Sequence, residues 1–479
     1  MRRSGVGAVE AGESGGAAGR SGGAGGPVGG SGGAAGRSGG AGEAAGVAGD
    51  SAGGGSSAGV VAWRAGAEEV SGRWSGAVGD TGRRSAESGP RSGGGWQSGG
   101  DGVFGRPPGG DVFDVVRAVP ARIDLSPGVP DLAAFPRAAW LKAERSVLRT
   151  LSAADLGYGD PRGAPVLRQA VARWLARNRG VLVEADDVVV VAGVAQALGL
   201  LAQVLRRDGI GEIAVEDPGS LGARQHLRHW GLGTPPVQVD DDGIRVDELR
   251  ALGAPAVLLT PAHQFPTGVV LAGGRRRELM RWADEGGLVV EDDYDAEHRY
   301  DRPPVPALRS MLPERVCYAG SVSKVLAPAL RVGWLLVPRA HRESVVEAKR
   351  YADLGNAALP QLVLAELMAS GELERHLRFV RRRHRRRRDA MIAAIAEHLP
   401  RAVVHGAAAG LHLLITFDDS VSDTGLAAAA LARGVKVQPL SWHAQRPGPP
   451  GLVLGYGASV PTDIAQGVAT VADVLLSRG

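Results

Sequence analysis

From residue 164 to residue 340 the chain alternates helix-patterned segments with short, unbroken apolar runs: DDVVVVAG, EIAVEDP, PVQVD, AVLLTP, GLVVEDDYD, VCYAGS and VGWLLVP. A strand that is apolar at successive positions is one buried on both faces, and helices lying between such strands are the crossovers that parallel pairing requires. The pattern predicts an α/β fold, a mainly parallel sheet of seven strands with helices on both sides. Within APVLRQAVARWLARNRG, the residues Val166, Leu167, Ala170, Val171, Trp174 and Leu175 fall on one helical face, and Gly180 supplies the stop.

Composition limits where this pattern extends. Residues 1–112 hold more than half of the 73 glycines and contain no leucine, isoleucine or lysine. Such a stretch buries too little apolar surface to offset its ordering entropy, so it is expected to be a disordered Gly/Ala/Ser/Arg segment. The folded part is expected from 113 to 479. One cysteine, Cys317, excludes an intramolecular disulfide, and there is no apolar run of membrane-spanning length. Met-Arg-Arg leads into glycine and serine, not a signal core, so a cytoplasmic protein with no membrane contact is expected. The net charge of +4 does not announce a nucleic-acid partner. RRRHRRRR, Arg381 to Arg388, is the local exception. Leu377, Val380, His384, Met391 and Ile395 recur around it at helical spacing, which predicts an apolar stripe under a solvated arginine face. Binding of phosphate backbones is the alternative.

Lysine is the scarce cation here. Of the 55 Lys and Arg residues only Lys142, Lys324, Lys349 and Lys436 are lysines. A loop lysine is ordinarily a surface charge, but Lys324 ends the run VCYAGSVSK, between two strands expected to be buried. An amine can lose its proton and join a carbonyl, which guanidinium cannot. Two other strands end in complementary groups. VVVVAG leads to Gly193, Val194 and Ala195 at a helix start, suited to a phosphate. GLVVEDDYD ends in Asp292, Asp293 and Tyr294, where a carboxylate suits a cationic ring nitrogen. Ligands of such sheets gather at the carboxyl ends of the strands, and together these three ends describe a pocket for pyridoxal 5'-phosphate.

The segments LGYGDPRGAPVLRQAVARWLARNRGV, VEDPGSLGARQHL, TPAHQFPTG, VVEDDYDAEHRY and AGSVSKVLAPALRVGWL occur in this order. In this they resemble the aminotransferase-like domain of MocR regulators of the GntR family, a branch of the fold type I pyridoxal-phosphate proteins (aminotransferase class I/II). The likeness runs from about Asp124 to Gly479. It implies a large cofactor-binding domain over 166–345 and a small α+β domain formed by 113–165 with 346–479. It implies Lys324 as the Schiff-base lysine, Asp292 as partner of the pyridine nitrogen and Tyr294 opposite the ring's phenolic oxygen. Ser321, Ser323, Arg331 and the amides of Val194 and Ala195 would hold the phosphate. Tyr158 would reach the phosphate of a neighbouring subunit, which implies a homodimer with shared sites. The winged helix-turn-helix of the family would precede this region, where residues 1–112 show no helical periodicity.

Departures bear on the substrate. Ser220 stands where the family often stacks a tyrosine on the ring, leaving His263 as a candidate aromatic. Val453, in GLVLGYG, occupies the place where amino-acid transaminases tend to carry the arginine that clamps the substrate carboxylate. Arg224 is the candidate substitute. Two functions follow. One is an aminotransferase acting on an amino acid or amine by ping-pong half-reactions. The other is the effector-sensing domain of a transcription regulator, which binds the cofactor and an amino ligand without full turnover, DNA being read by a winged helix supplied elsewhere.

Overall fold

The computed structural model describes residues 102–300, 305–418 and 421–477. The segment expected to be disordered lies outside the described residues up to 101. Its end is folded: Phe104 is buried and stacks on Trp442 with ring centroids 4.9 Å apart, so the core begins ahead of the expected boundary at 112.

All seven runs are strands of one sheet. In chain order they are β1 (Val189–Val191), β2 (Ala214–Asp217), β3 (Pro236–Asp240), β5 (Ala256–Leu259), β6 (Leu288–Asp293), β7 (Val316–Ser321) and β8 (Gly333–Leu336). An eighth strand missed in the sequence, β4 (Gly243–Ile244), folds back on β3 as a short antiparallel edge. The order across the sheet is β1-β8-β7-β6-β5-β2-β3-β4. The five strands from β7 to β3 pair in parallel, and antiparallel pairs close both sides.

Both faces are covered, as continuous apolar strands require. On one, Val215, Leu258, Val290 and Ala319 pack with Leu198, Leu201 and Leu205 of the helix Val194–Arg207. On the other, Val257, Leu259 and Val289 pack with Leu279 and Ala283 of the helix Gly273–Asp284. Each such leucine contributes about 1.5–3 kcal/mol through burial. The helix Pro165–Arg179 does end at Gly180, with φ 68, but its buried face is rotated: Val166 is exposed, whereas Arg168 and Arg179 are buried.

A smaller antiparallel sheet places Val403–His405, His412–Thr416, Gly451–Gly455 and Gln438–Pro439 side by side. The helices Glu372–His398 and Pro461–Leu476 join its core. Ile123–Asp124 pairs in parallel with Val435–Lys436, tying the chain's early segment to this smaller layer.

The arginine run lies on Glu372–His398, with Leu377, Val380, His384, Met391 and Ile395 buried as the spacing predicts. Several of its guanidinium groups serve the fold. Arg383 and Arg387 meet the buried Asp131 at 2.6 and 2.9 Å, Arg381 donates to Glu297 O, and Arg388 covers the Tyr300 ring.

Candidate cofactor and substrate site

Strands β6 and β7 run in parallel with Asp292 beside Ala319 and Asp293 beside Gly320, so their carboxyl ends open at one level. Successive side chains of a strand point to opposite faces. Asp292 therefore emerges on the side of the helix Val194–Arg207, and Asp293 on the other. A cavity of about 820 Å³ opens at this level on the Asp292 side. Lys324, Asp292, Tyr294, Ser321, Ser323, Arg331 and Val194 all line it.

Lys324 follows β7 directly. Its amine donates to the carbonyl of Gly128, which curls over it with φ +79. A Cβ at position 128 would stand 3.2 Å from Nζ, so this close approach favours glycine. Burial lowers the pKa of the Lys324 amine, against the pull of Asp295 and Asp292. Asp292 Oδ1 is buried without a hydrogen-bond partner. Burial, with Asp293 and Asp295 adding repulsion, pushes the Asp292 carboxyl up to about 7.

Behind Tyr294 lies a polar shell. His263 Nδ1 is 2.9 Å from Asp295 Oδ2 and 3.0 Å from Tyr294 Oη. To serve a carboxylate, Nδ1 has to carry the proton, so Tyr294 Oη accepts on that side. Burial raises the Tyr294 pKa well above 10, which keeps it a phenol. His412 completes the shell, donating from Nε2 to Pro266 O at 3.2 Å, with burial holding its pKa near 3.

At the other end, Ser321 Oγ accepts from the amide of Ser323 at 3.3 Å. Arg331 holds a left-handed backbone, φ 51, and donates to Ala192 O. It lies against Gly193, where a Cβ would come within 3.2 Å of its Nη1. Gly193 caps the helix Val194–Arg207, whose first amides have no acceptor within the helix.

Four candidates stand elsewhere. His263 does not line the cavity but backs Tyr294; Phe265 and His443 are the aromatic groups that reach it from this side. Arg224 is buried with both terminal nitrogens engaged, by His443 O at 2.6 Å and Trp442 O at 2.9 Å, so it is not presented to a carboxylate. Tyr158 is 95% exposed and Ala195 is exposed, both outside the cavity lining of this single chain. Ser220 lines the cavity and caps a helix, accepting from Ala223 N at 3.2 Å.

Sequence reasoning missed Thr260, Gln438 and Lys436 on the wall. Thr260 donates its hydroxyl to Glu216 Oε2 at 2.8 Å and accepts from Phe265 N at 3.0 Å, which fixes that loop. Lysine scarcity was the signal that could have found Lys436.

The donor set fits pyridoxal 5'-phosphate. An unpartnered buried carboxylate suits a protonated ring nitrogen, a phenol suits the ring oxygen, and Lys324 suits an aldehyde. Hydroxyls, helix amides and a guanidinium suit the phosphate at the far end.

Comparison with known proteins agrees with this geometry. Residues 121–446 match the family of class I and II aminotransferases. The chain is 31% identical over 359 residues to the HTH-type pyridoxine biosynthesis transcriptional regulator PdxR of Corynebacterium glutamicum, covering 74% of this chain and 77% of that one. It is 31% identical over 360 residues to the 2-aminoadipate transaminase of Thermus thermophilus, covering 73% and 89%. The crystal structure of kynurenine aminotransferase from Pyrococcus horikoshii superposes with a TM-score of 0.70 at 26% identity, over 77% of this chain and 94% of that one.

Proposed function

This chain belongs to the class I and II aminotransferase family, and from that premise we propose that it is a pyridoxal-phosphate-dependent aminotransferase acting on an amino compound. The observation that carries this reading is the meeting, at one cavity, of the half-buried Lys324 with Asp292, whose Oδ1 is buried without a hydrogen-bond partner. Bound there, the cofactor would supply an aldehyde for the amine and a ring that draws electrons away from a substrate carbon.

The protein's own groups do the rest. Burial keeps Lys324 Nζ ready to give up its proton, so a freed amine can take a proton from the substrate's Cα and return it. Asp292 would hold the proton of the ring nitrogen, its carboxyl being raised by burial and by Asp293 and Asp295. Tyr294 Oη, fixed from behind by His263, would face the ring oxygen. Ser321, Ser323, Arg331 and the helix-start amides of Val194 and Ala195 would hold the phosphate.

Two further parts belong to the proposal. A homodimer would bring Tyr158, with its neighbour Leu156 also exposed, into a second subunit's site. A cytoplasmic setting fits the lone buried Cys317. Among the described residues no helix is long and apolar enough to cross a membrane.

The likeness to HTH-type regulators favours a second reading, an amino-ligand sensor that stops short of turnover. One experiment separates the two: cofactor-loaded protein is mixed with a panel of amino acids and assayed for keto-acid product, beside a mobility-shift assay on upstream DNA. Sustained product without a shift supports the enzyme. A spectral change without product, together with a DNA shift, overturns the enzyme in favour of the sensor. No absorbance band on adding the cofactor rejects both.

A further inference from the structure

The segment Val435 to Gln438 alternates strictly. Val435 and Val437 are buried in the core of the smaller layer, whereas Lys436 and Gln438 turn the other way and line the 820 Å³ cavity. Gln438 is the register partner of Val453 on the neighbouring antiparallel strand. Directly opposed residues of such a pair share a face, so Val453 opens toward the side that Gln438 and Lys436 take. Val453 packs there with Leu414, Leu440 and Phe265 and carries no charge. Lys436 thus stands two residues before the register partner of Val453, on the segment that leads into the neighbouring strand, and faces the cavity with Gln438.

Lys436 is well placed to act as that cation. It is 4% exposed, yet borders the same cavity as Lys324. Its ion partner, Asp124 Oδ2, stands at 3.4 Å and is itself partly exposed, a loose pairing for an ammonium with three protons to donate. Asp124 also accepts from Ser126 N at 2.9 Å, in the loop that reaches Gly128 and so the Lys324 amine. Arg224, the other candidate, is consumed by two backbone carbonyls. The chain writes arginine almost wherever a charge suffices, and two of its four lysines face this one cavity.

We propose that Lys436 binds the carboxylate of the substrate, so that this site takes amino acids in preference to amines lacking a carboxyl group. The assignment rests on the cofactor reading above. A buried ammonium beside one loose partner gains a full partner from a carboxylate and nothing from a simple amine, and sites built around such a group discriminate strongly against analogues lacking it.

The test is a spectral titration of cofactor-loaded protein with paired ligands, leucine against isopentylamine and phenylalanine against phenethylamine, in wild type, Lys436→Gln and Lys436→Arg. In wild type the amino acid of each pair should half-saturate the absorbance change at a lower concentration than its amine. Lys436→Gln should raise that concentration about tenfold or more for the amino acids and leave the amines nearly unchanged. Lys436→Arg should keep the preference. Equal loss for both ligand types would mark Lys436 as structural and overturn the assignment. So would a wild type that binds each amine as tightly as its amino acid. The band before any ligand is added reports on the cofactor reading separately: with the band intact and the preference unchanged in Lys436→Gln, only the anchor falls; with no band in wild type, both fall.

Discussion

Asp292 and Asp293 leave the same strand end in opposite directions, and the chain sets an arginine against Asp293 and a cavity against Asp292. Asp293 Oδ2 receives Arg179 Nε at 2.6 Å and the Tyr318 hydroxyl at 2.5 Å, in a pocket where both ion partners are about 1% exposed. Asp292 lines the cavity beside Lys324 instead, and Oδ1 of each aspartate is buried without a hydrogen-bond partner. Charges buried for structure are matched by the chain itself, because an unmatched one costs several kcal/mol. Asp292, with its carboxyl raised and a lysine beside it at a cavity, has the character of a functional group instead.

That contrast can be broken most severely at Lys324. Lys324→Ala should abolish covalent capture of the cofactor, read as loss of the modified peptide by mass spectrometry after borohydride treatment. Next in size is the closed side. Arg179→Met should destabilise the fold by about 3–5 kcal/mol in denaturant titration by stranding Asp293, and Arg179→Met with Asp293→Leu should recover much of that loss. If the single variant is as stable as wild type, the two carboxylates do not differ as described. On the open side, Asp292→Asn should cut turnover roughly a hundred- to thousandfold while leaving the fold intact. Unfolding of that variant would place Asp292 with Asp293 as a structural group.

The smallest effect is a dependence on pH. The Asp292 carboxyl titrates at about 7 in the folded, cofactor-free protein and near 3.9 when unfolded. The folded state therefore holds its proton over that interval, and the stability that proton provides is lost as pH rises from about 4 through 7. Asp292→Asn should remove this loss, raising the melting temperature of cofactor-free protein at pH 8 relative to its effect at pH 5. Glu216 and Glu291, both held up at about 7, and Glu297, held up at about 8, all chiefly by burial, contribute slope that stays in the variant.

Most of the seven strands were legible because each is a short, mainly apolar run, the pattern of a strand covered on both faces. That Lys324, Asp292 and Tyr294 would meet at one cavity was legible because they follow the ends of such runs. His263 was misjudged for a geometric reason. It follows β5 at the carboxyl end, where site loops begin, but the loop turns Phe265 toward the cavity and His263 behind Tyr294. Spacing does not reveal such a turn. Arg224 failed because its partners, the carbonyls of Trp442 and His443, lie more than two hundred residues away. The pairing of Arg179 with Asp293 spans 114 positions. Lys436 was readable in principle, since its alternation with valines is plain in VKVQ, but which face is core depends on a register with Val453 that exists only in the fold.

The scarcity of lysine has a practical corollary. Lys142 stands open on the surface, Lys349 is wholly enclosed and bound to Asp353 and Asn356, and the remaining pair borders the cavity. A mild acylating reagent should therefore tag few side chains, with Lys142 as the internal standard. Protection of Lys324 and Lys436 from the reagent then becomes a footprint of whatever occupies the chamber, legible without knowing the occupant's name.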